Sequence, residues 1–176
     1  MKRIIAIILT AIMILSLSAC GGGGAGSSKE GSKAEDDKKI EFDNAVLADD
    51  DTVTIKAVSF FEKEWATGTQ TCFCIEVTNH TDRYILVKIY SDNIYLGDEK
   101  IGCAGLLDGS ELAPGKTGKF NYGIYRQEAG EMVYVDSLEE LYNLNGEITI
   151  EVYDEDKSSI RSDLEKKYPI DFSTLK

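Results

Sequence analysis

The single histidine is the first candidate for catalysis, because most general bases and many zinc sites depend on this side chain. His80 lies in the segment Asn79-His80-Thr81-Asp82, between two hydrophobic runs. A base needs a packed pocket to tune its pKa, and these four residues are typical of a solvated turn. We therefore interpret His80 as a turn residue; a Ser-His-Asp or Cys-His site is the alternative and would have to use it. The lack of a second histidine excludes zinc sites built from several histidines.

Three cysteines, Cys72, Cys74 and Cys103, remain besides Cys20, which lies near the N-terminus. Cys72 and Cys74 are two residues apart and share one face of a predicted strand, which differs from the usual Cys-x2-Cys spacing of a metal-binding turn. The sequence favours free, buried thiols. A disulfide between Cys103 and either Cys72 or Cys74 is the first alternative, and a soft-metal site is the second.

Three acidic runs, at residues 35–37, 49–51 and 154–156, are the candidates for a cation site. Calcium needs several oxygens placed around a tight loop, with a glycine at its sharp turn. None of the runs has that spacing, so we interpret them as solvated acidic surface. The sequence thus predicts no metal site and no cofactor.

Aromatic residues are the remaining candidates for binding, because the chain has nine tyrosines. Phe60, Phe61 and Trp65 lie close together, and Tyr90 and Tyr95 lie close to Asp92 and Asp98. Aromatic rings and carboxylates together suit sugars and protein interfaces. We therefore predict that Trp65, Tyr90 and Tyr95 contribute to a binding surface; the alternative is that they are ordinary half-buried strand residues.

The charge of the chain excludes one class of partner. The formal net charge is −12, and it falls to −14 without residues 1–19, which hold Lys2 and Arg3 and no acidic residue. Such a surface repels nucleic-acid phosphates, so we exclude DNA and RNA as partners. A length of 176 residues suffices for one ordinary domain plus a processed segment.

The N-terminus has the organisation of an export signal. Lys2 and Arg3 precede an apolar run from Ile4 to Leu17, which is shorter than the roughly twenty residues that a spanning helix needs. The segment Leu17-Ser18-Ala19-Cys20 follows. It resembles the lipobox of bacterial prolipoproteins, in which small residues precede an invariant cysteine. The resemblance implies cleavage before Cys20, a diacylglyceryl group on its sulfur, and anchoring to the outer side of the cell membrane.

The residues after Cys20 predict a flexible linker. Residues 21–28 contain only Gly, Ala and Ser, and residues 29–39 are charged and lack aromatics, a composition that does not form a packed core. We therefore divide the chain into a signal peptide at residues 1–19, a lipidated cysteine and linker at 20–39, and one domain at 40–176. A linker of this kind resembles those of Gram-positive lipoproteins.

The domain itself is predicted to consist mainly of β-strands. Apolar and polar residues alternate in several runs of β-branched and aromatic residues, which predicts half-buried strands. The apolar members are Val53, Ile55 and Ala57; Phe73, Ile75 and Val77; Ile85, Val87 and Ile89; Ile94 and Leu96; Phe120, Tyr122 and Ile124; and Ile148, Ile150 and Val152. Residues 79–82 are predicted to form a hairpin turn, and residues 113–116, which contain Pro114 and Gly115, a second turn. Closely spaced strands favour an antiparallel sandwich over a βαβ fold.

One short helix is predicted at residues 137–143, with Ser137 and Glu140 as a capping box and Asn145-Gly146 as its stop. Residues 159–167 are ambiguous and could form a second short helix. The final segment, residues 168–172, is predicted to be an edge strand, where Pro169 is tolerated.

The two turns carry a second resemblance. Val77 to Asp82, then Ile85, then residues 112–116 and Phe120, are similar to the immunoglobulin-like domains of uncharacterised Gram-positive lipoproteins, which share an Asn-x-Thr/Ser-Asp turn and a Pro-Gly-Lys turn between strands. The resemblance implies an all-β, immunoglobulin-like antiparallel β-sandwich and no particular activity.

These patterns together favour a non-enzymatic binding or interaction module of the cell envelope. The expected partners are the membrane, through the lipid on Cys20, and an envelope protein. A module for glycans or small ligands is the alternative, and a hydrolase is a third possibility that lacks a visible nucleophile–base pair.

Overall fold

The structure is a computed structural model that describes residues 38–66, 68–105, 111–135 and 137–176. The predicted signal peptide, Cys20 and all but the last two residues of the predicted linker lie outside this described part. Twelve strands and three short 3₁₀ helices are found within it. No helix in the same residues is both long and apolar enough to cross a bilayer.

The strands form two antiparallel sheets. The first sheet contains β1 (Lys39–Asp49), β2 (Val53–Trp65), β3 (Gly68–Asn79), β7 (Gly102–Gly105), β9 (Thr117–Glu128) and β10 (Glu131–Tyr134). The second sheet contains β4 (Ile85–Lys88), β5 (Ile94–Leu96), β6 (Glu99–Lys100), β8 (Glu111–Leu112), β11 (Leu144–Tyr153) and β12 (Ile160–Asp171).

The strand order is that of an immunoglobulin constant domain. In the first sheet β2, β3, β9 and β7 are neighbours in this order, which corresponds to strands A, B, E and D. In the second sheet β11 pairs with β4 and β5 along one edge and with β12 along the other, which corresponds to strands C, F and G. Strand β1 adds an edge beyond β2. The predicted antiparallel β-sandwich is therefore confirmed.

The core lies between the sheets and contains the apolar members of the alternating runs. Val53, Ile55, Phe73, Ile75, Ile148 and Ile150 are completely buried. The rings of Phe60 and Phe73 both pack against Phe172, with centroids 5.2 and 5.3 Å apart. Polar residues between these positions therefore face outward, and the two outer faces are where a site can lie.

The two turns noted in the sequence meet at one buried side chain. Asn79 accepts hydrogen bonds from the backbone N–H and hydroxyl of Thr81 through its Oδ1. Its Nδ2 donates to the carbonyl oxygens of Arg83, Leu112 and Ala113. One asparagine thus ties the 79–82 loop to the Pro-Gly turn, where Gly115 has a φ of 65°. That turn was predicted correctly.

The 79–82 loop is not a hairpin, because β3 belongs to the first sheet and β4 to the second. The sequence between the two runs has turn residues, but those residues do not reveal whether the following strand pairs with the preceding one. The loop carries the chain across the sandwich instead.

The predicted helix forms as a 3₁₀ helix, Leu138–Asn143, and two further 3₁₀ segments occur at Ser91–Asn93 and Phe172–Leu175. The predicted capping box is wrong, because Ser137 makes no side-chain cap and Glu140 instead accepts a hydrogen bond from Arg126 at 2.8 Å. Leu138 and Leu141 are buried in the core, so the segment closes the sandwich by packing.

The C-terminal half of the domain differs from the prediction at two places. Asn145 and Gly146 lie inside β11 rather than ending a helix, with Gly146 paired to Ile94. The possible helix at residues 159–167 is a strand, because pairing with β11 through Arg161, Lys166 and Lys167 provides its hydrogen bonds. The predicted edge strand is confirmed, and Pro169 sits in β12 opposite Glu147.

Candidate functional site

The three predicted binding residues lie on different sheets. Trp65 ends β2 in the first sheet and is 42% exposed. Tyr90 follows β4, and Tyr95 lies in β5, both at the second sheet. The structure therefore brings Tyr90 and Tyr95 to one sheet and leaves Trp65 on the other.

The outer face of the second sheet is rich in tyrosine. Tyr95 lies between the core residues Ile94 and Leu96, so its ring points away from the core. The same alternation turns Tyr84, which precedes Ile85, and Tyr153, which follows Val152, outward. We call Tyr84, Tyr90, Tyr95 and Tyr153 the tyrosine face. The sequence did not lead us to name Tyr84 or Tyr153 as binding residues, although their position next to core residues of alternating runs could have identified them.

Glu151 organises one part of this face. Tyr90 donates its hydroxyl to Oε1 of Glu151 at 2.5 Å, and Lys88 donates to Oε2 at 2.8 Å. The Lys88 ammonium also lies 5.7 Å from the centre of the Tyr90 ring. Glu151 is only 6% exposed, so the lysine and the tyrosine satisfy a nearly buried carboxylate. We call these three residues the Glu151 cluster.

Glu111 organises a second part with the same pattern. Tyr153 donates its hydroxyl to Oε1 of Glu111 at 2.7 Å, and Lys157 donates to Oε2 at 2.5 Å. The Lys157 ammonium lies 5.7 Å from the centre of the Tyr153 ring and 4.4 Å from that of Tyr84. We call these four residues the Glu111 cluster. It differs from the Glu151 cluster in its second ring and in the 40% exposure of the Glu111 side chain.

Strand register explains why the two clusters are adjacent. Leu86 of β4 is paired with Glu111 on one side and with Glu151 on the other. Residues that are directly opposite in neighbouring antiparallel strands point to the same face. The two carboxylates therefore lie in one row across three strands, with Leu86 between them.

Both carboxylates are held in the charged state. Burial alone would raise the pKa of Glu151, but the hydrogen bonds from Lys88 and Tyr90 outweigh it and lower that pKa. The hydrogen bonds from Lys157 and Tyr153 lower the pKa of Glu111. Because both tyrosines donate to a carboxylate, the pKa of each phenol is raised. These phenols therefore stay protonated at neutral pH.

Other charges of the face are paired as well. Lys100 donates to Asp92 at 2.6 Å. Glu147 accepts from Asn93 at 3.0 Å and lies 3.9 Å from Lys167. These lysines neutralise part of the negative charge of the face.

Thr149 sits in the middle of the same face, paired with Lys88 on one side and Lys167 on the other. Its hydroxyl is buried, and among the described residues it is the one buried side-chain oxygen or nitrogen without a hydrogen-bond partner. An unpaired buried hydroxyl costs about 1–3 kcal/mol. Local costs of this kind are commonly retained at functional surfaces.

His80 does not form a catalytic triad. It is exposed, as predicted, and its Nε2 lies 2.7 Å from the hydroxyl of Thr54. That hydroxyl also donates to Asp49 at 2.6 Å. In a triad the histidine lies between the acid and the hydroxyl and accepts the hydroxyl proton. Here the hydroxyl lies between the acid and the histidine, so the arrangement differs from a triad.

The three cysteines are free and buried, as the sequence favours. A disulfide between Cys103 and Cys72 or Cys74 does not fit the fold, because β9 lies between β7 and β3. Two strand spacings exceed the roughly 7 Å between Cα atoms that a disulfide allows. Burial raises the pKa of Cys72 to about 12 and also raises that of Cys103, so neither is a ready nucleophile. The described residues contain no group of three or more potential metal ligands.

A separate cavity opens on the first sheet. It has a volume of about 350 Å³ and is lined in part by Lys39, Ser59, Phe61, Cys74 and Lys119. This size is at the lower end of ligand pockets. Burial raises the pKa of the Cys74 thiol here, so the cavity offers shape and two ammonium groups rather than a nucleophile.

Comparison with known proteins adds no relative: no protein-family model, no curated protein and no solved structure matches the chain.

Proposed function

We propose that this chain is a non-enzymatic binding module, anchored by a lipid on Cys20 to the extracytoplasmic side of the cell membrane, whose tyrosine face contacts a protein of the envelope. The paired Tyr–Glu–Lys clusters are the observation that carries the proposal. Tyrosine gives a large amphipathic contact area and loses little conformational entropy on binding.

The clusters reduce the entropy cost further. Tyr90 and Tyr153 are each held by a short hydrogen bond to a carboxylate, so their rings are in place before a partner arrives. Preorganisation of this kind increases affinity mainly by lowering the cost of ordering side chains. Surface residues that bind no partner gain no affinity from such preorganisation.

Two features of the described residues favour binding over catalysis. The hydroxyl beside His80 donates to Asp49, and burial raises the pKa of the Cys72 thiol to about 12. The acidic groups of the tyrosine face are neutralised by lysines, which suits an interface better than proton transfer.

Detergent phase separation tests the anchor. The wild-type protein expressed in a bacterium is expected in the detergent phase, because two acyl chains on Cys20 bind stably to membranes. Cys20→Ala is expected in the aqueous phase or to remain unprocessed. Wild-type protein found only in the aqueous phase contradicts the proposal.

Hydroxyl-radical footprinting tests the surface. Tyr84 and Tyr90 are 40% and 41% exposed in the isolated chain, and Met132 on the first sheet is 62% exposed and serves as the internal control. On intact cells, labelling of the two tyrosines should fall relative to the purified protein while that of Met132 does not. Equal labelling of Tyr84 and Tyr90 in both samples would contradict a bound partner at this face.

A small-ligand or glycan module is the second candidate, and the cavity of about 350 Å³ beside Phe61 and Cys74 favours it. Protection of Phe61 with unchanged labelling of Tyr84 and Tyr90 in the same footprinting experiment would support this second candidate over the first.

A further inference from the structure

The Glu111 cluster has the composition of a site for an organic cation. Its two rings, Tyr84 and Tyr153, face one ammonium at 4.4 and 5.7 Å, and a carboxylate accepts a hydrogen bond from that ammonium at 2.5 Å. Aromatic rings attract cations through their electron-rich faces, and a nearby carboxylate adds direct charge attraction. The ammonium that occupies this site belongs to the chain itself, to Lys157.

The walls of the site are formed without Lys157. Tyr84 precedes β4, Tyr153 ends β11 and Glu111 begins β8, so three separate segments of the second sheet contribute. The backbone N–H of Tyr153 donates to the carbonyl of Tyr84 at 2.9 Å, and Tyr153 also donates to Glu111. The first bond holds the backbones of Tyr84 and Tyr153 side by side, and the second holds the Tyr153 ring against the carboxylate; neither bond involves Lys157.

Lys157 lies on the turn between β11 and β12, at a φ of 60°. Asp154 holds this turn, because its carboxylate accepts hydrogen bonds from the backbone N–H groups of Ser158 and Ser159 at 2.7 and 3.1 Å. The turn therefore does not depend on the Lys157 side chain, which is 40% exposed and ends four rotatable bonds from the backbone. An exposed ion pair of this kind is held weakly.

We infer that this site receives the protonated primary amine of a lysine side chain on the partner protein, which displaces Lys157. The inference rests on the proposed binding function of the tyrosine face. A primary amine is favoured over a quaternary one because Glu111 accepts a hydrogen bond from the present occupant, and a quaternary ammonium has no proton to donate. The acidic chain, with a net charge of −12, also attracts a basic partner.

The Glu151 cluster does not offer the same site. Its ammonium faces one ring, at 5.7 Å, and the Glu151 side chain is only 8% exposed. An incoming amine cannot readily reach so buried a carboxylate, and Glu151 would lose Lys88 before the exchange is complete, which costs far more than at an exposed carboxylate.

Binding of n-butylammonium chloride to the full chain in non-ionic detergent micelles tests the inference, with ligand-observed NMR saturation transfer as the measurement at pH 7. Removing the internal competitor in Lys157→Ala should tighten binding by about tenfold, which is the combined strength expected of an exposed ion pair and a cation–π contact. Lys157→Asn should behave in the same way, and it keeps a residue that tolerates positive φ.

The controls separate charge, site and ligand type. Lys38→Ala removes an exposed, carboxylate-paired lysine beside the first sheet and causes the same change in net charge, so it should bind like the wild type. Pentan-1-ol, a neutral analogue, should not bind to Lys157→Ala, and adding Glu111→Gln or Tyr84→Leu to that variant should remove the gain. Choline should bind less tightly than n-butylammonium.

Three results would overturn the inference: no gain in either Lys157 variant, an equal gain in Lys38→Ala, or tighter binding of choline or pentan-1-ol than of n-butylammonium. Failure here differs from failure of the proposed function. If Tyr84 and Tyr90 are protected on cells but no ammonium binds, the proposed binding surface is supported and the proposed lysine-recognition site is refuted.

Discussion

The Glu151 and Glu111 clusters have the same chemistry and differ in burial. In each, a tyrosine hydroxyl and a lysine ammonium bind separate oxygens of one glutamate. The Glu151 side chain is 8% exposed and the Glu111 side chain 40%. A buried carboxylate is costly without its partners, whereas an exposed one is solvated when they leave. The same hydrogen bonds therefore stabilise the fold in one cluster and remain exchangeable in the other.

The largest expected effect follows from removing the lysine of each cluster. Lys88→Ala leaves Glu151 nearly buried without its cation and should lower the free energy of unfolding by about 3 kcal/mol. Lys157→Ala should lower the free energy of unfolding by much less, because the ion pair that it removes is exposed and Glu111 becomes hydrated. Lys88→Met keeps the aliphatic stem and shows how much of the loss comes from packing. Equal losses of unfolding free energy in the two alanine variants would show that the two clusters do not differ in their contribution to stability.

A third carboxylate lies between these extremes. Asp50 accepts hydrogen bonds from Tyr168 at 2.9 Å and Lys166 at 3.2 Å, and also from the backbone N–H groups of Thr52 and Val53. Burial opposes its charge, but these bonds outweigh burial and lower the pKa of Asp50 to about 2. Asp50→Ala should cost about 1–2 kcal/mol at pH 7, a value reduced for the partial exposure of the carboxylate.

The pH dependence of that loss has a definite sign. The pKa of Asp50 is lower in the folded protein than its ordinary value of 3.8, so its contribution is complete above about pH 4 and disappears as the pH falls toward about 2. The difference in unfolding free energy between wild type and Asp50→Ala should therefore shrink over this interval. A difference that stays constant down to pH 2 would show that the carboxylate charge is not responsible.

The sequence could predict the sandwich, because its core residues alternate in runs that each match one observed strand, as Phe73, Ile75 and Val77 do in β3. It could not predict which strands pair. The 79–82 loop has the composition of a hairpin turn, yet it crosses between sheets, since pairing depends on distant partners such as Lys116, whose carbonyl accepts from the Asn79 N–H at 2.9 Å.

The predicted capping box and the possible helix at residues 159–167 were wrong for a related reason. Glu140 fits a capping box by spacing, but Arg126 of β9 competes for its carboxylate. Residues 159–167 have no strong local preference, and pairing with β11 decides their conformation. Local propensity is a weak guide where tertiary hydrogen bonds are available.

Part of the candidate site was named from the sequence. Tyr90 and Tyr95 were predicted to contribute to a binding surface, and the structure places both at the second sheet. Glu111, Glu151 and Lys157 were not identified, because they come together through the register of β4, β8 and β11 and through the turn after β11. The spacing of residues within any one segment does not reveal that these side chains meet.

Substitutions of Tyr90 and Tyr153 give a finer test of the difference between the Glu151 and Glu111 clusters. Tyr90→Phe removes a hydrogen bond to a nearly buried carboxylate and should lower the unfolding free energy by about 1 kcal/mol. Tyr153→Phe removes the equivalent bond to an exposed carboxylate and should have a smaller effect. Thermal and urea unfolding of the two variants beside wild type measure the difference; a larger loss in Tyr153→Phe would reverse the assignment.

Trp65 gives the smallest expected effect and tests whether an aromatic residue without a carboxylate behaves differently. Its indole lies on the first sheet, with the Lys63 ammonium 4.5 Å from the ring centre and a hydrogen bond of 3.1 Å from its N–H to Gln70. Because the ring is 42% exposed, Trp65→Phe, which keeps an aromatic ring and removes the hydrogen bond to Gln70, should lower the unfolding free energy by only about 0.5 kcal/mol. The variant should leave the protection of Tyr84 and Tyr90 on cells unchanged, since it lies on the other sheet. Loss of that protection at nearly unchanged stability would place Trp65 in the same binding surface as Tyr90 and would extend the site beyond the second sheet.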